Sequence, residues 1–297
     1  MTNFSLKWLD LLRMLLPLPG PSVVYLLGMS DTGKSTLANY LYEELGRSRP
    51  VAYLDADPGQ SSIGPPATLG LKIKRPSSEE EKELRFVGSI TPHRNHLAHY
   101  KAIFSLKKAA IARGAELIIV DSSGYAAGWE AGDFQFAMVE ALNPAKLLVL
   151  QKTDELKPLL TRIKLETDLS PELLEPSENI RARDPETRQK RREDLFAAYF
   201  RCHQFESFEW ENCLIWGDWS HAYRFDSGEG ALAGLLDIKG SFLGLATVRK
   251  IDFEKKCLEM ASPVSSLKEV ARIHLSNLWL NLDGRHGPLY ERLPESP

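Results

Sequence analysis

Residues 28–36 read GMSDTGKST, and the run VVYLL just before them is apolar throughout. The spacing Gly28-x-x-x-x-Gly33-Lys34-Ser35, set between an apolar strand and the helical stretch TLANYLYEEL, is that of a P-loop. Glycines let the backbone wrap round phosphates, so that amide N–H groups and a helix N-terminus face the negative charge. Lys34 then reaches the β- and γ-phosphates and the Ser35 hydroxyl ligates Mg²⁺. Ser30, Asp31, Thr32 and Thr36 join Gly28 and Gly33 in the expected nucleotide-binding set.

Outward from the P-loop, the apolar strands VAYLDA, LRFVGS, LIIVD and KLLVLQ alternate with the helical stretches RNHLAHYKAIFSLKKAAIARG and GDFQFAMVEAL. That alternation predicts an α/β fold, a P-loop NTPase-type parallel sheet with helices on both faces. Such sheets take their ligands at the carboxyl ends of the strands. From about residue 205 the pattern turns to short strands, with DIKG (Asp237–Gly240) as a hairpin turn signal. The expected division is therefore a P-loop domain over 1–204, with a charged lid over about 175–192, and a small β-rich domain over 205–297. Near the start, Phe4, Trp8, Leu11, Leu12, Leu15 and Leu16 fall at helical spacing, which predicts an amphipathic helix packed on the first domain. Lys7, Asp10 and Arg13 interrupt the stretch, so it is neither a membrane span nor a signal-peptide core.

A net charge of −3 over 297 residues argues against a protein that coats long nucleic acids, though not against one that grips a few terminal nucleotides. Three scattered cysteines make neither a disulfide framework nor a zinc site and fit a reducing, cytoplasmic setting. His93, His96 and His99 recur every third residue, but no cysteine or paired acid completes a ligand set. They read as helix-surface histidines, with His93 near substrate phosphate. Trp216, Trp219 and Trp279 read as core or interface residues of the second domain.

A bound triphosphate has three uses to weigh. In a switch GTPase, Asp121-Ser-Ser-Gly124 would be the magnesium loop and Gln151-Lys152-Thr153-Asp154 the guanine reader, but a glutamine stands where such proteins carry asparagine. A nucleotide-binding scaffold is the second use, and it has no need of an acid at a strand end beside the P-loop. Transfer to an acceptor is the third, and the run VAYLDADPGQ favours it. Asp55 and Asp57 alternate at the end of the strand that follows the P-loop helix. One would face the acceptor, whose proton a carboxylate can take, and the other the metal or the sheet; Asp55 is the metal-side candidate. Pro58-Gly59 turns the chain sharply and leaves Gln60 facing the cleft.

As an ordered set, these pieces resemble the polynucleotide 5′-hydroxyl kinase family, which includes the RNA kinase subunit of the eukaryotic mRNA cleavage and polyadenylation machinery and related ribosomal-RNA-processing kinases. GMSDTGKST is similar to its P-loop and PVAYLDADPGQSSIGPPATLG to its acceptor-side strand and loop. GSITPHRN is similar to its threonine-proline clasp and DSSGYAAG to its third nucleotide-site loop, while Arg183–Arg192 matches its lid. The resemblance spans about residues 20 to 200, and the β-rich tail is similar to the family's C-terminal domain. No counterpart of the eukaryotic members' extra N-terminal domain is read, so docking into that machinery is not expected.

The resemblance implies an ATP- and Mg²⁺-dependent kinase acting on the 5′-hydroxyl ends of RNA or DNA, with no membrane role. Its catalytic set would be Lys34, Asp57, Thr91, Arg188 and Arg192, with Arg183 in reserve. Gln60, Tyr125 and His93 would line the acceptor side, Tyr125 stacking on the terminal base where the family more often has tryptophan. The bland reading of the lid is a solvated helix face whose cations pair with Asp184, Glu186, Glu193 and Asp194.

Overall fold

The computed structural model describes residues 4–76, 78–176, 183–218, 229–265 and 267–281. Trp219 and lid residues 177–182 lie outside the described residues. The chain forms two compact units, one of residues 1–64, 69–84 and 91–183, the other of 65–68, 85–90 and 184–297. A boundary at 204/205 falls inside the second unit.

The first unit opens with α1 (Phe4–Leu15), β1 (Ser22–Gly28), α2 (Lys34–Leu45) and β2 (Val51–Ala56). It continues through β3 (Thr68–Lys74), β4 (Glu81–Phe86), a 3-10 turn (Pro92–Arg94), α3 (His96–Ala112) and β5 (Leu117–Ser122). The set closes with α4 (Trp129–Leu142), β6 (Lys146–Leu150), α5 (Lys157–Glu166) and β7 (Glu172–Leu174). Its sheet has seven strands in the order β4-β3-β2-β5-β1-β6-β7. β1 runs parallel to β5 and β6, and β2 parallel to β5. Each residue of β1, β2 and β5 is buried, which is why these strands read as unbroken apolar runs rather than alternating ones. The sequence pattern does not reveal β3, which pairs antiparallel with β2.

Leu11 and Leu15 of α1 enter the same core as Leu37, Leu41 and Leu45 of α2, together with Val24, Tyr53 and Ile119 of the sheet. The Trp8 ring lies 4.8 Å from that of Tyr40, tilted by 44°, so the N-terminal helix does pack on this unit. Burying such side chains contributes about 25 cal/mol per Å² of apolar surface and holds the P-loop strand and helix as one block.

In the second unit α6 (Pro185–Phe200) precedes β8 (Gln204–Glu209), β9 (Leu214–Gly217) and β10 (Ala231–Leu236). β11 (Phe242–Asp252), β12 (Cys257–Ser262) and β13 (Arg272–Trp279) follow, in a six-stranded sheet ordered β8-β12-β11-β10-β13-β9. β10 and β11 are antiparallel, joined at Asp237–Gly240, where the Asp237 carboxylate accepts from the Lys239 and Ser241 amides. Phe196 and Phe200 of α6 are fully buried with Ala67, Leu232, Leu245 and Leu278. The ring of Phe86 lies over Gly234, where an added Cβ would sit 2.4 Å from it. Trp279 is core, and Trp216 stacks on His274 at 5.0 Å.

Candidate active site

The phosphate loop follows directly from the fold. β1 ends at Gly28, and Gly33, with φ +93°, turns the chain into α2 through a left-handed conformation that favours glycine. Asp31 also has a positive φ of +55°. Its carboxylate accepts from the Arg183 backbone N–H at 3.0 Å and Nε at 3.2 Å, which tethers the start of the lid to the P-loop. Lys34 is buried, and Nζ donates to the Met29 carbonyl at 2.7 Å, while Thr32 Oγ1 donates to the same carbonyl at 2.9 Å. Burial lowers the Lys34 pKa, and the charges of Asp121, Asp57 and Asp31 work against that. Ser35 and Thr36 stand exposed at the mouth of the loop.

Two carboxylates meet across the sheet, because Asp55 and Asp121 are register partners on β2 and β5. Asp55 is engaged on both oxygens. Oδ2 accepts from the Ser62 amide at 2.6 Å and hydroxyl at 2.8 Å, and Oδ1 from the Asp57 amide at 3.1 Å. Burial, then the neighbouring Asp121, pushes its pKa up to about 7. Asp121 is also raised, chiefly by burial, with the charge of Lys34 and the Ser35 and Tyr53 hydroxyls pulling it back. Tyr53 donates to Asp121 Oδ2 at 2.9 Å, while Oδ1 is buried without a partner. An acid with an open buried oxygen beside the P-loop serine is a donor set of the kind that could take a hydrated divalent cation.

Asp57 stands just past the end of β2 with its Oδ1 accepting from the Gly59 and Gln60 amides at 2.9 and 3.0 Å. That turn fixes the carboxyl and leaves Oδ2 without a hydrogen bond from any described residue. Gln60 donates from Nε2 to the Gly59 carbonyl, and its Oε1 is buried and unpaired.

The opposite wall is aromatic. His93 Nδ1 lies 3.3 Å from the Tyr125 hydroxyl and 3.2 Å from Glu130 Oε1. The Tyr125 ring is 5.9 Å from those of His93, His96 and Phe134. Burial and Glu130 raise its pKa to about 12, so the phenol stays protonated. Thr91 caps the 3-10 turn, its hydroxyl accepting from the His93 amide. His99 departs from the surface-histidine reading. It is fully buried, with Nδ1 2.9 Å from the Asn95 carbonyl, because the helix face it occupies packs onto β2.

Three features of this site carry no clear sequence signal. Gln135 is fully buried; it accepts from the Tyr25 hydroxyl at 2.6 Å and donates to the Tyr125 carbonyl at 2.7 Å, holding the loop that presents Tyr125. Gly124 packs so closely on the P-loop that an added Cβ would meet Ser30 Oγ at 2.1 Å. The open oxygen of Asp121 is the third: the DSSG motif marks the residue, but no local pattern says which of its oxygens is left open.

Of the lid arginines, Arg188 and Arg192 belong to the second unit and Arg183 to the first. Asp184 caps α6 by accepting from the Thr187 amide at 2.6 Å. Gln189–Glu193 and Lys190–Asp194 pair along the helix. Arg188 and Arg192 share the four-residue stripe of Phe196 and Phe200, whose burial anchors it.

Residues 28–202, more than half of the chain, match the family model described as mRNA cleavage and polyadenylation factor CLP1 P-loop. The chain belongs to the CLP1 P-loop family. Among curated relatives, a polyribonucleotide 5′-hydroxyl-kinase of Pyrococcus furiosus is 27% identical, the match covering 94% of each chain. One from Methanocaldococcus jannaschii is 25% identical over 92% of this chain and 91% of its own. A polynucleotide 5′-hydroxyl-kinase GRC3 of Candida albicans is 27% identical over 50% of this chain and 24% of its own. The fold is that of Clp1p in a complex with Pcf11p, with a TM-score of 0.69 at 15% identity, covering 94% of this chain and 82% of that one. A second Clp1p–Pcf11p structure gives 0.71 at 16% identity, covering 93% and 80%. This CLP1-family chain has no helix, among its described residues, long and apolar enough to cross a membrane.

Proposed function

We propose that this chain transfers the terminal phosphate of ATP to the 5′-hydroxyl end of an RNA strand. The observation that carries the reading is Asp57, whose carboxyl is fixed by its own turn, keeps one oxygen open, and lies close enough to act on the charge of Lys34. Nearly full-length similarity to relatives named polyribonucleotide 5′-hydroxyl-kinase supports the substrate class.

In this reading the P-loop amides and Lys34 hold the triphosphate, with Gly28, Ser30, Asp31, Thr32, Gly33 and Thr36 around it. Asp57 Oδ2 takes the proton of the attacking 5′-hydroxyl. Gln60, His93 and Thr91 position the end of the strand, and Tyr125 offers its ring to the terminal base. Arg188 and Arg192 supply positive charge to the phosphoryl group in transit, with Arg183 as the second-line candidate. Ser35 and Asp121 would hold Mg²⁺, and Asp55, the other metal-side candidate, braces the Asp57 turn by accepting from the Asp57 amide and from Ser62. A bound Mg²⁺ neutralises charge on the phosphate oxygens. DNA ends fit the same stacking chemistry. Three free cysteines suit a cytoplasmic setting.

The test uses γ-labelled ATP, Mg²⁺ and matched RNA and DNA oligonucleotides ending in 5′-hydroxyl or 5′-phosphate. Label on the 5′-hydroxyl strands alone is the expected result. Release of free phosphate from GTP, with no strand labelled, would instead favour a nucleotide switch.

A further inference from the structure

A cavity of about 380 Å³ opens in the first unit between the N-terminal turns of α4 and α5. Its wall begins at Ala126, one residue past Tyr125, and runs on through Trp129, Gly132 and Asp133. Leu159 and Arg162 of α5 close the other side. The volume is in the range of small-ligand clefts.

Trp129 is 82% exposed, an unusual state for the largest apolar side chain. Gly132 sits inside α4, where glycine is a poor helix former. Packing does not demand it, since a Cβ built there would meet nothing within 4 Å. What glycine does there is keep the cavity wide. The guanidinium of Arg162 lies 3.8 Å over the Phe136 ring and is held flat by Asp133 at 2.6 Å and Glu166 at 3.0 Å. The lining thus offers flat surfaces together with the carboxylates of Asp133 and Glu155. Glu155 is held by the Lys152 and Thr153 amides and Asp133 by Arg162, so two carboxylates stand against one guanidinium, and their remaining lone pairs can accept from the exocyclic amines of a base.

The cavity also continues the acceptor wall. Glu130, next to Trp129, touches both His93 and His96 at 3.2 and 3.6 Å. The four residue steps from Tyr125 to Trp129 span at most about 14 Å, within a few nucleotides of the terminal base. We propose that this cavity is the subsite for a downstream nucleobase of the acceptor strand, stacked on the Trp129 indole. The inference rests on the kinase reading above and adds to it where the strand goes after its first nucleotide.

The experiment compares a short 5′-hydroxyl RNA with the same strand made abasic at its second or third position, using wild type, Trp129→Ala and Gly132→Leu. In wild type the abasic strand should lose about tenfold in kcat/KM, the size of one stacked base. Each variant should lose a similar factor on the intact strand, and in each the abasic penalty should shrink towards one. The KM for ATP should stay constant throughout. An undiminished abasic penalty in both variants, or none in wild type, overturns the subsite while leaving the kinase reading intact. If wild type labels no strand at all, the kinase reading fails and the subsite falls with it.

Discussion

At Asp57 one carboxyl oxygen is committed to the Gly59 and Gln60 amides and the other is open, so charge and geometry are separable by substitution. Asp57→Asn keeps an oxygen for the turn but has no base to offer. Transfer should fall by roughly 10²–10⁴-fold, while ATP binding, followed by calorimetry, stays close to wild type. Retained transfer would remove Asp57 from the base role. His99 allows a second test at this scale. Burial drives its pKa from 6.5 to about 4, with the Asn95 carbonyl and Asp57 partly offsetting. The unfolded chain therefore binds a proton before the folded one does. Stability from the neutral ring is complete above pH 6.5 and is lost as pH falls towards 4, by roughly 3 kcal/mol. Asp55 acts in the opposite sense, since its raised pKa makes stability fall as pH climbs from about 4 to about 7. The wild-type curve mixes the two, so the informative quantity is the stability difference between wild type and His99→Phe. That difference should shrink on acidification in denaturant titrations; a pH-independent difference would show that His99 titrates normally.

At the scale of elements, the site is a meeting of strand ends. β1, β2 and β5 stop at nearly the same level, so Gly28, Asp57 and the loop after Ser122 converge on the N-terminus of α2. The close approach of Gly124 to Ser30 keeps the β5 loop against the P-loop. Gly124→Ala forces that contact apart, and nucleotide binding should weaken by about 1–3 kcal/mol, with the thermal midpoint of the apoprotein moving much less. Unchanged nucleotide affinity would mean that the loop moves freely. Gln135 secures the far end of the same loop, so replacing it with leucine should raise the KM for the acceptor more than that for ATP.

Across the whole molecule, the chain passes into the second unit at 65–68 and 85–90 before it enters it for good at residue 184. Ala67, Phe86 and Ile90 belong with Phe196, Phe200, Leu232 and Leu245 in one apolar cluster. A fragment ending at residue 183 therefore carries two segments whose apolar partners are missing. It should be poorly soluble or melt without a cooperative transition, and a sharp, reversible melt would show that the units fold independently. In the full chain, Phe86→Ala leaves a hole over Gly234 and should cost about 3 kcal/mol, read as a lowered denaturation midpoint.

The P-loop, the parallel sheet and the acid-bearing turn after β2 were legible in the sequence because each is written within some ten residues. A glycine spacing, an apolar run or an Asp-Pro-Gly turn sets its own hydrogen bonds wherever it is placed. Which of Asp55 and Asp121 keeps an open oxygen could not be read that way. Both end apolar strands, and only the register that pairs them, with Ser62 on one and Tyr53 on the other, leaves Asp121 with the open oxygen. The burial of His99, the bridge at Gln135 and the loan of residues 65–68 and 85–90 to the second unit likewise came from the tertiary structure. Each rests on contacts between residues far apart in the chain, whose energies depend on burial and register that no local pattern encodes.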